Sequence, residues 1–171
     1  MTSQTISNQA SSAPRLLSRI LATDANVAST ILRVVLALVM FPHGAQKMLG
    51  WFGGYGFSGT MGFLTGQIGM PWFAAFGVVL LEFFGPLLLL VGLGTRVIGA
   101  GFAAIMVGAI ATVHMSHGFF MNWSGQQPGE GFEYHLLVIG MGLALAFTGA
   151  GRWSLDGKLT NRRSPSNRVG A

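Results

Sequence analysis

Hydrophobic residues fill four stretches of this chain, and the few polar residues inside them recur at helical spacing. Residues 29–49, 72–92, 97–117 and 133–148 are apolar over most of their length. At 1.5 Å per residue a stretch of about 20 residues crosses a hydrocarbon core of about 30 Å. The pattern therefore predicts an all-α integral membrane four-helix bundle with short interfacial helices. One such helix is expected from Arg15, where Leu16, Leu17, Ile20 and Leu21 share a face flanked by Arg15 and Arg19. Residues 1–14, rich in Ser, Thr, Gln and Asn, are expected to be disordered. The stretch 51–71 is rich in Gly and aromatic residues, and reads as an interfacial loop with an amphipathic turn over 58–68 capped by Ser58. The tight Gly92-Leu93-Gly94-Thr95 connection makes spans two and three an antiparallel hairpin. The chain thus divides into an N-terminal segment (1–28), a four-span domain (29–157) and a basic flexible tail (158–171).

The polar residues inside the spans carry the candidate chemistry. At 100° per residue Arg33, Met40, His43, Gly44 and Lys47 fall in one stripe of the first span. Arg33 and Lys47 either snorkel to opposite interfaces or face the bundle. The second span holds one carboxylate, Glu82, near its middle. An ionised carboxylate there costs roughly 2.5–3.5 kcal/mol on insertion scales, so other helices must supply a partner, a proton or water. Function is expected to converge on it, as a structural ion pair or as a proton- or ligand-handling site. By helical rise Arg33 lies about 6 Å and Glu82 about 15 Å inside the same boundary, so Arg33 is within reach and His43 approaches from the other side. His114 and His117 share a face at the end of span three, and Glu133 opens span four. Glu133 and His135 lie some 200° apart on that helix, so both cannot point fully inward. Arg96 and Arg152 sit with Arg33 at the other boundary.

Composition narrows the class. Of 171 residues 51% are hydrophobic, 9% are charged and 26 are glycine, which excludes an ordinary soluble domain. The net charge of +5 does not point to nucleic acid, because half of the ten basic residues lie in the last twenty positions, as in a membrane-facing tail. Arg15, Arg19, Arg96, Arg152, Lys158, Arg162, Arg163 and Arg168 fall on one side of a four-span arrangement, against Lys47, Glu130 and Glu133 on the other. Both termini are therefore expected to be cytoplasmic. With no cysteine the chain has no disulfide, thiolate ligand or thiol relay. Its histidines come from different helices at no recognised ligand spacing, and no metal site is expected.

The same residues resemble those of a known family. Arg33, His43-Gly44 and Lys47, then Glu82 with Gly92-Leu93-Gly94-Thr95-Arg96, then His114, Glu133-Tyr134 and Gly149-Ala150-Gly151-Arg152-Trp153-Ser154-Leu155-Asp156, follow one another as in DoxX-type membrane proteins. Ala150 stands where that closing motif commonly has proline. The resemblance implies a four-helix protein of the bacterial cytoplasmic (inner) membrane, associated with quinone-linked oxidoreductases such as thiosulfate:quinone oxidoreductase and with complexes handling oxidative stress. It supplies no catalytic residue. On this reading Glu82, His43 and Lys47 form the reactive centre, and Arg33, His114, Glu133 and Arg96 line the cavity. Quinone is the expected cofactor or substrate, and the partners are the bilayer, a membrane or soluble redox protein and a second copy of the chain. Ser154 and Asp156 are expected to cap helices or pair with Arg152. The competing readings are a membrane scaffold recruiting a soluble partner or lipid and, more weakly, a proton-coupled small-solute carrier.

Overall fold

The computed structural model describes residues 19–23 and 26–162, and every regular element among them is helical. The expectations for residues 1–14, for most of the helix from Arg15 and for the tail from residue 163 onward lie outside the described residues.

Helix α1 (Val27–Leu49) starts where Asn26 Oδ1 accepts the amide of Ser29 at 2.7 Å, and stops at Gly50, whose φ of 74° breaks the helical run. Helix α2 (Gly56–Gly62) continues into a π turn over Phe63–Gln67. The expected turn over 58–68 therefore forms, but it begins at Gly56, and Ser58 lies inside it rather than capping it. Helix α3 (Trp72–Val91) follows Pro71 and ends at Gly92. Helix α4 (Thr95–Ala109) runs on through a π turn (Ile110–His114) and a 3-10 turn (Met115–His117). Helix α5 (Glu133–Thr148) has 16 residues, about 24 Å at helical rise. Helix α6 (Leu155–Arg162) is short and takes in residues 158–162, where the sequence suggested a flexible tail.

Three runs have both the length and the hydropathy to cross a membrane: Val27–Leu49, Trp72–Val91 and Thr95–His117. The fourth apolar helix, α5, is shorter than the roughly 20 residues a perpendicular crossing takes.

Two close helix pairs, α1 with α3 and α4 with α5, make the body of the bundle. Both pairs rest on glycine. A Cβ at Gly44 would overlap the carbonyl of Glu82, and Cβ atoms at Gly99 and Gly142 would each collide with the other's carbonyl. Such small-residue crossings let helix backbones meet without hydrophobic driving force from water. Leu36, Met40, Leu89, Phe102, Val138 and Leu145 fill the space between the pairs. Outward positions such as Ile31, Leu38, Leu137 and Phe147 are exposed and apolar, whereas no charged residue of α1, α3, α4 or α5 is fully exposed. The bundle is therefore apolar on its outside as well as in its core, and keeps its few charged side chains turned inward or at its ends, as a lipid-facing bundle must.

The two ends differ. One, the loop end, carries residues 50–71 and 118–132 and exposes Trp51, Phe52, Tyr55, Trp72, Phe73, Phe120 and Trp123. The other, the turn end, carries residues 92–94 and 149–154 and is tied together by two arginines and one aspartate. Arg33, buried, gives Nε to Ala150 O (2.9 Å), Nη1 to Leu89 O (2.8 Å) and Leu90 O (2.6 Å), and Nη2 to Arg152 O (3.3 Å) and Trp153 O (2.9 Å). Arg96 bonds Ala22 O, Ala146 O and Phe147 O. Each guanidinium thus sits on the carbonyl end of another helix, Arg33 on α3 and Arg96 on α5, where the helix dipole is negative and the last carbonyls lack partners. Asp156 does the converse, accepting the amides of Gly94 (2.8 Å) and Thr95 (3.0 Å) at the start of α4. Ser154 Oγ accepts the amide of Gly157 in the first turn of α6. The expected capping role of Ser154 and Asp156 takes this form, with Asp156 serving α4 and not Arg152.

Candidate functional site

The site begins at the crossing of α1 and α3. Because Gly44 lets α1 rest on the backbone of Glu82, the residue one turn closer to the loop end, Lys47, reaches the Glu82 carboxylate and pairs with it. Glu82 is 3% exposed, whereas the Lys47 side chain retains 31%. The buried member is the anion, and the cation keeps a route to water. That route is a second cavity of about 680 Å³ under residues 53–67, which Lys47 lines from one side.

On its other side Lys47 faces the main cavity, about 540 Å³, enclosed by α1, α3, α4, α5 and the π turn after α2. Its walls are soft and apolar, with Met40, Met70, Met106 and Ile105 among them. Exposed Ala104, Gly108 and Thr112 mark where it opens along the flank of α4. The polar groups gather toward the loop end: Lys47 and Glu82, then His43, His114, Glu130, Tyr134 and His135. The π turn over Ile110–His114 delivers His114 to the cavity, a local unwinding often found at functional positions. His114 and His135 lie with ring centroids 4.0 Å apart, and His43 approaches Tyr134 at 5.7 Å. His114 Nδ1 is held 2.8 Å from the carbonyl of Glu130, and the Tyr134 hydroxyl points at Met40 Sδ (3.3 Å). His135, 6% exposed, has no partner for Nδ1. A buried polar atom left without a partner costs about 1–3 kcal/mol, so a ligand able to hydrogen-bond there would relieve a penalty already present.

Of the residues singled out from sequence, the structure brings Glu82, His43, Lys47 and His114 together. Three others lie elsewhere. Arg33 and Arg96 are consumed by carbonyls at the turn end and do not line the cavity; Arg33 is not the partner of Glu82. Glu133 turns away into the 118–132 loop, accepting the amide of Met121 (2.9 Å) and the indole of Trp123 (3.3 Å). Sequence reasoning named Tyr134, His135 and Glu130 without assigning them to the cavity lining, where the structure places them. The 200° separation of Glu133 and His135 was the available signal: only one could face inward, and it is the histidine. Among the described residues no three His, Cys, Asp or Glu side chains converge as a metal site would require.

The cavity, with its buried ion pair and clustered imidazoles, lies in a bundle of which three helical runs are long and apolar enough to cross a membrane, which makes this a membrane protein. The DoxX profile matches residues 28–115, and the chain belongs to the DoxX family. It is 35% identical over 130 residues to the protein named "Putative oxidoreductase CatD" from Bacillus subtilis (strain 168), an alignment covering 76% of this chain and 85% of that one. No solved structure matches the chain.

Proposed function

We propose that this protein is a subunit of, or partner to, a quinone-linked oxidoreductase system in the bacterial cytoplasmic membrane, and that the main cavity receives the quinone headgroup. The observation that carries the reading is the composition of that cavity: thioether and aliphatic walls open along α4, polar groups at one end and an unpartnered imidazole nitrogen on His135. A quinone needs both surfaces, a greasy slot for ring and tail and hydrogen-bonding groups at its oxygens. Reduction of a quinone to hydroquinone takes two electrons and two protons. Here the electrons come from a bound redox cofactor or a redox partner, since the chain has no cysteine for a thiol relay of its own. The protein's own groups hold the headgroup and exchange the protons: neutral His135 can donate to a carbonyl or accept from a hydroxyl, and Glu82 with Lys47 balances charge. Lys47, touching both cavities, connects this exchange to the loop end.

In the same reading α5 crosses the membrane with the other three helices, tilting or thinning the bilayer to suit its length. Both termini are cytoplasmic, which the basic residues of the turn end favour. The name borne by the Bacillus subtilis relative accords with a redox role. The test is thermal unfolding of purified protein in detergent with a short-tailed quinone such as decylubiquinone. A ten-fold excess over Kd is expected to stabilise the wild type by about 1.4 kcal/mol, and Glu82→Gln is expected to fold but lose most of that gain. No stabilisation of the wild type by any short-tailed quinone would refute the proposal.

A further inference from the structure

A third concave site, about 400 Å³, lies at the turn end, far from the cavity just described, between Thr23, the 151–154 turn and α6. Arg152 and Lys158 line it, and both are exposed. No carboxylate among the described residues pairs with either. Asp156, close by in sequence, is buried and gives both oxygens to the amides of Gly94 and Thr95. Thr23 Oγ1 accepts the amide of Gly151 at 2.7 Å, which leaves its own O–H free to donate. Among the described residues the site is therefore a cluster of donors and positive charge with no carboxylate paired to it.

The backbone next to it is held in an unfavourable shape. Trp153 has φ 52°, one of two described non-glycine residues with positive φ, where a Cβ meets the carbonyl. Arg33 fixes it there by binding the carbonyls of Arg152 and Trp153. The consequence is an indole turned outward, 71% exposed, with the Arg152 guanidinium 4.9 Å from its ring. An outward tryptophan at the end of a membrane bundle belongs at headgroup depth. Helix α6 repeats the sign: Leu155 and Leu159, one turn apart, are both exposed. It is tied to the bundle through Asp156 and through Thr160 Oγ1 to Leu21 O at 3.0 Å, so those leucines are presented at a fixed height. Apolar groups that mark the interface thus surround a pocket lined by two cations that no carboxylate among the described residues pairs with.

We propose that this pocket binds the phosphodiester headgroup of an anionic phospholipid of the leaflet at the turn end, with Arg152 and Lys158 supplying charge, Thr23 a hydrogen bond and Trp153 contact with the glycerol region. Basic pockets at the cytoplasmic ends of membrane helices are suited to such headgroups. The site depends neither on the quinone reading nor on the basic residues after Arg162. A free phosphate ion offers the same oxygens but would gain nothing from the indole or the leucines.

The test is binding of fluorescent phosphatidylglycerol to the full-length protein in zwitterionic detergent. Arg152→Gln and Lys158→Gln are each expected to weaken binding about five-fold, and the double variant roughly thirty-fold. Both side chains are exposed, so the double variant is expected to keep the wild-type melting temperature without lipid. Removal of residues 163–171 is expected to leave the affinity within about two-fold of wild type. Phosphatidylcholine and millimolar inorganic phosphate are expected not to compete. Competition by inorganic phosphate as effective as by the lipid would reassign the site to a free anion. Unchanged affinity in the double variant, or loss of binding on truncation alone, would likewise overturn the proposal.

Discussion

Replacing either partner of the ion pair in the main cavity should have unequal effects, and the inequality follows from burial. Glu82 is 3% exposed; the Lys47 side chain is 31% exposed and touches a second cavity. In Lys47→Met the carboxylate is left in an apolar site without its cation, a situation that costs about 3–5 kcal/mol. In Glu82→Gln the ammonium can swing into the outer cavity and stay hydrated, and the amide still hydrogen-bonds, so the loss should be close to that of a half-exposed pair, about 1 kcal/mol. The double variant leaves no charge behind and should recover most of the loss seen in Lys47→Met. Thermal unfolding in detergent reads all three: by soluble-protein scaling, a drop of about 3 °C for Glu82→Gln against roughly 10 °C or more for Lys47→Met. Equal losses in the two single variants would refute the reasoning, and so would a double variant no better than Lys47→Met. Either result would mean that the carboxylate has another partner.

Three further outcomes are expected. Arg33→Lys should destabilise severely, by about 3 kcal/mol or more, because an ammonium cannot span the carbonyls of Leu89, Leu90, Ala150, Arg152 and Trp153; a near-wild-type melting temperature would contradict this. Asp156→Ala removes the cap on Gly94 and Thr95 and should cost about 1–2 kcal/mol, read as faster amide exchange at the start of α4; unchanged exchange there would contradict the cap. The chain has no cysteine, so Ser58→Cys and Ser124→Cys can be labelled on a clean background; both should react with an impermeant thiol reagent in intact cells, while Lys158→Cys should not. Labelling at 158 from outside would reverse the orientation.

The helices were legible because long apolar runs have few other folded uses: α1, α3 and α5 begin or end within two residues of the expected positions, α1 and α3 with membrane length and α5 as a shorter helix. Glu82 was legible for the same energetic reason, a carboxylate that its own helix could not satisfy. Its partner was not. Depth reckoned by helical rise assumes that adjacent spans start in one plane, which put Arg33 within reach. The Gly44 crossing instead sets α1 so that residue 44 is level with Glu82, leaving Arg33 eleven residues and about 16 Å away along the helix. Lys47, one turn from the crossing, takes its place. The motifs Gly92-Leu93-Gly94-Thr95-Arg96 and Gly149-Ala150-Gly151-Arg152 do not by themselves show which carbonyls an arginine caps. The caps are exchanged between helices, Arg33 onto α3 and Arg96 onto α5, an arrangement that local sequence cannot reveal because it depends on which helices pair. Glu133 shows the remaining gap: a carboxylate at a helix start serves equally to order a preceding loop, and only the fold of residues 118–132 decides between loop and cavity.

The central claim is that a quinone headgroup occupies the cavity between α3, α4 and α5, and photolabelling with a short-tailed azidoquinone tests it most directly. Peptide mapping after illumination should place the label on residues 104–114 and on Tyr134 and His135, with unlabelled quinone suppressing it and His135→Phe reducing it about ten-fold, the loss of one buried hydrogen bond. Label confined to outward positions such as Leu137 and Phe147, or undiminished by competing quinone, would mean that the quinone only dissolves around the bundle and that the cavity serves another ligand.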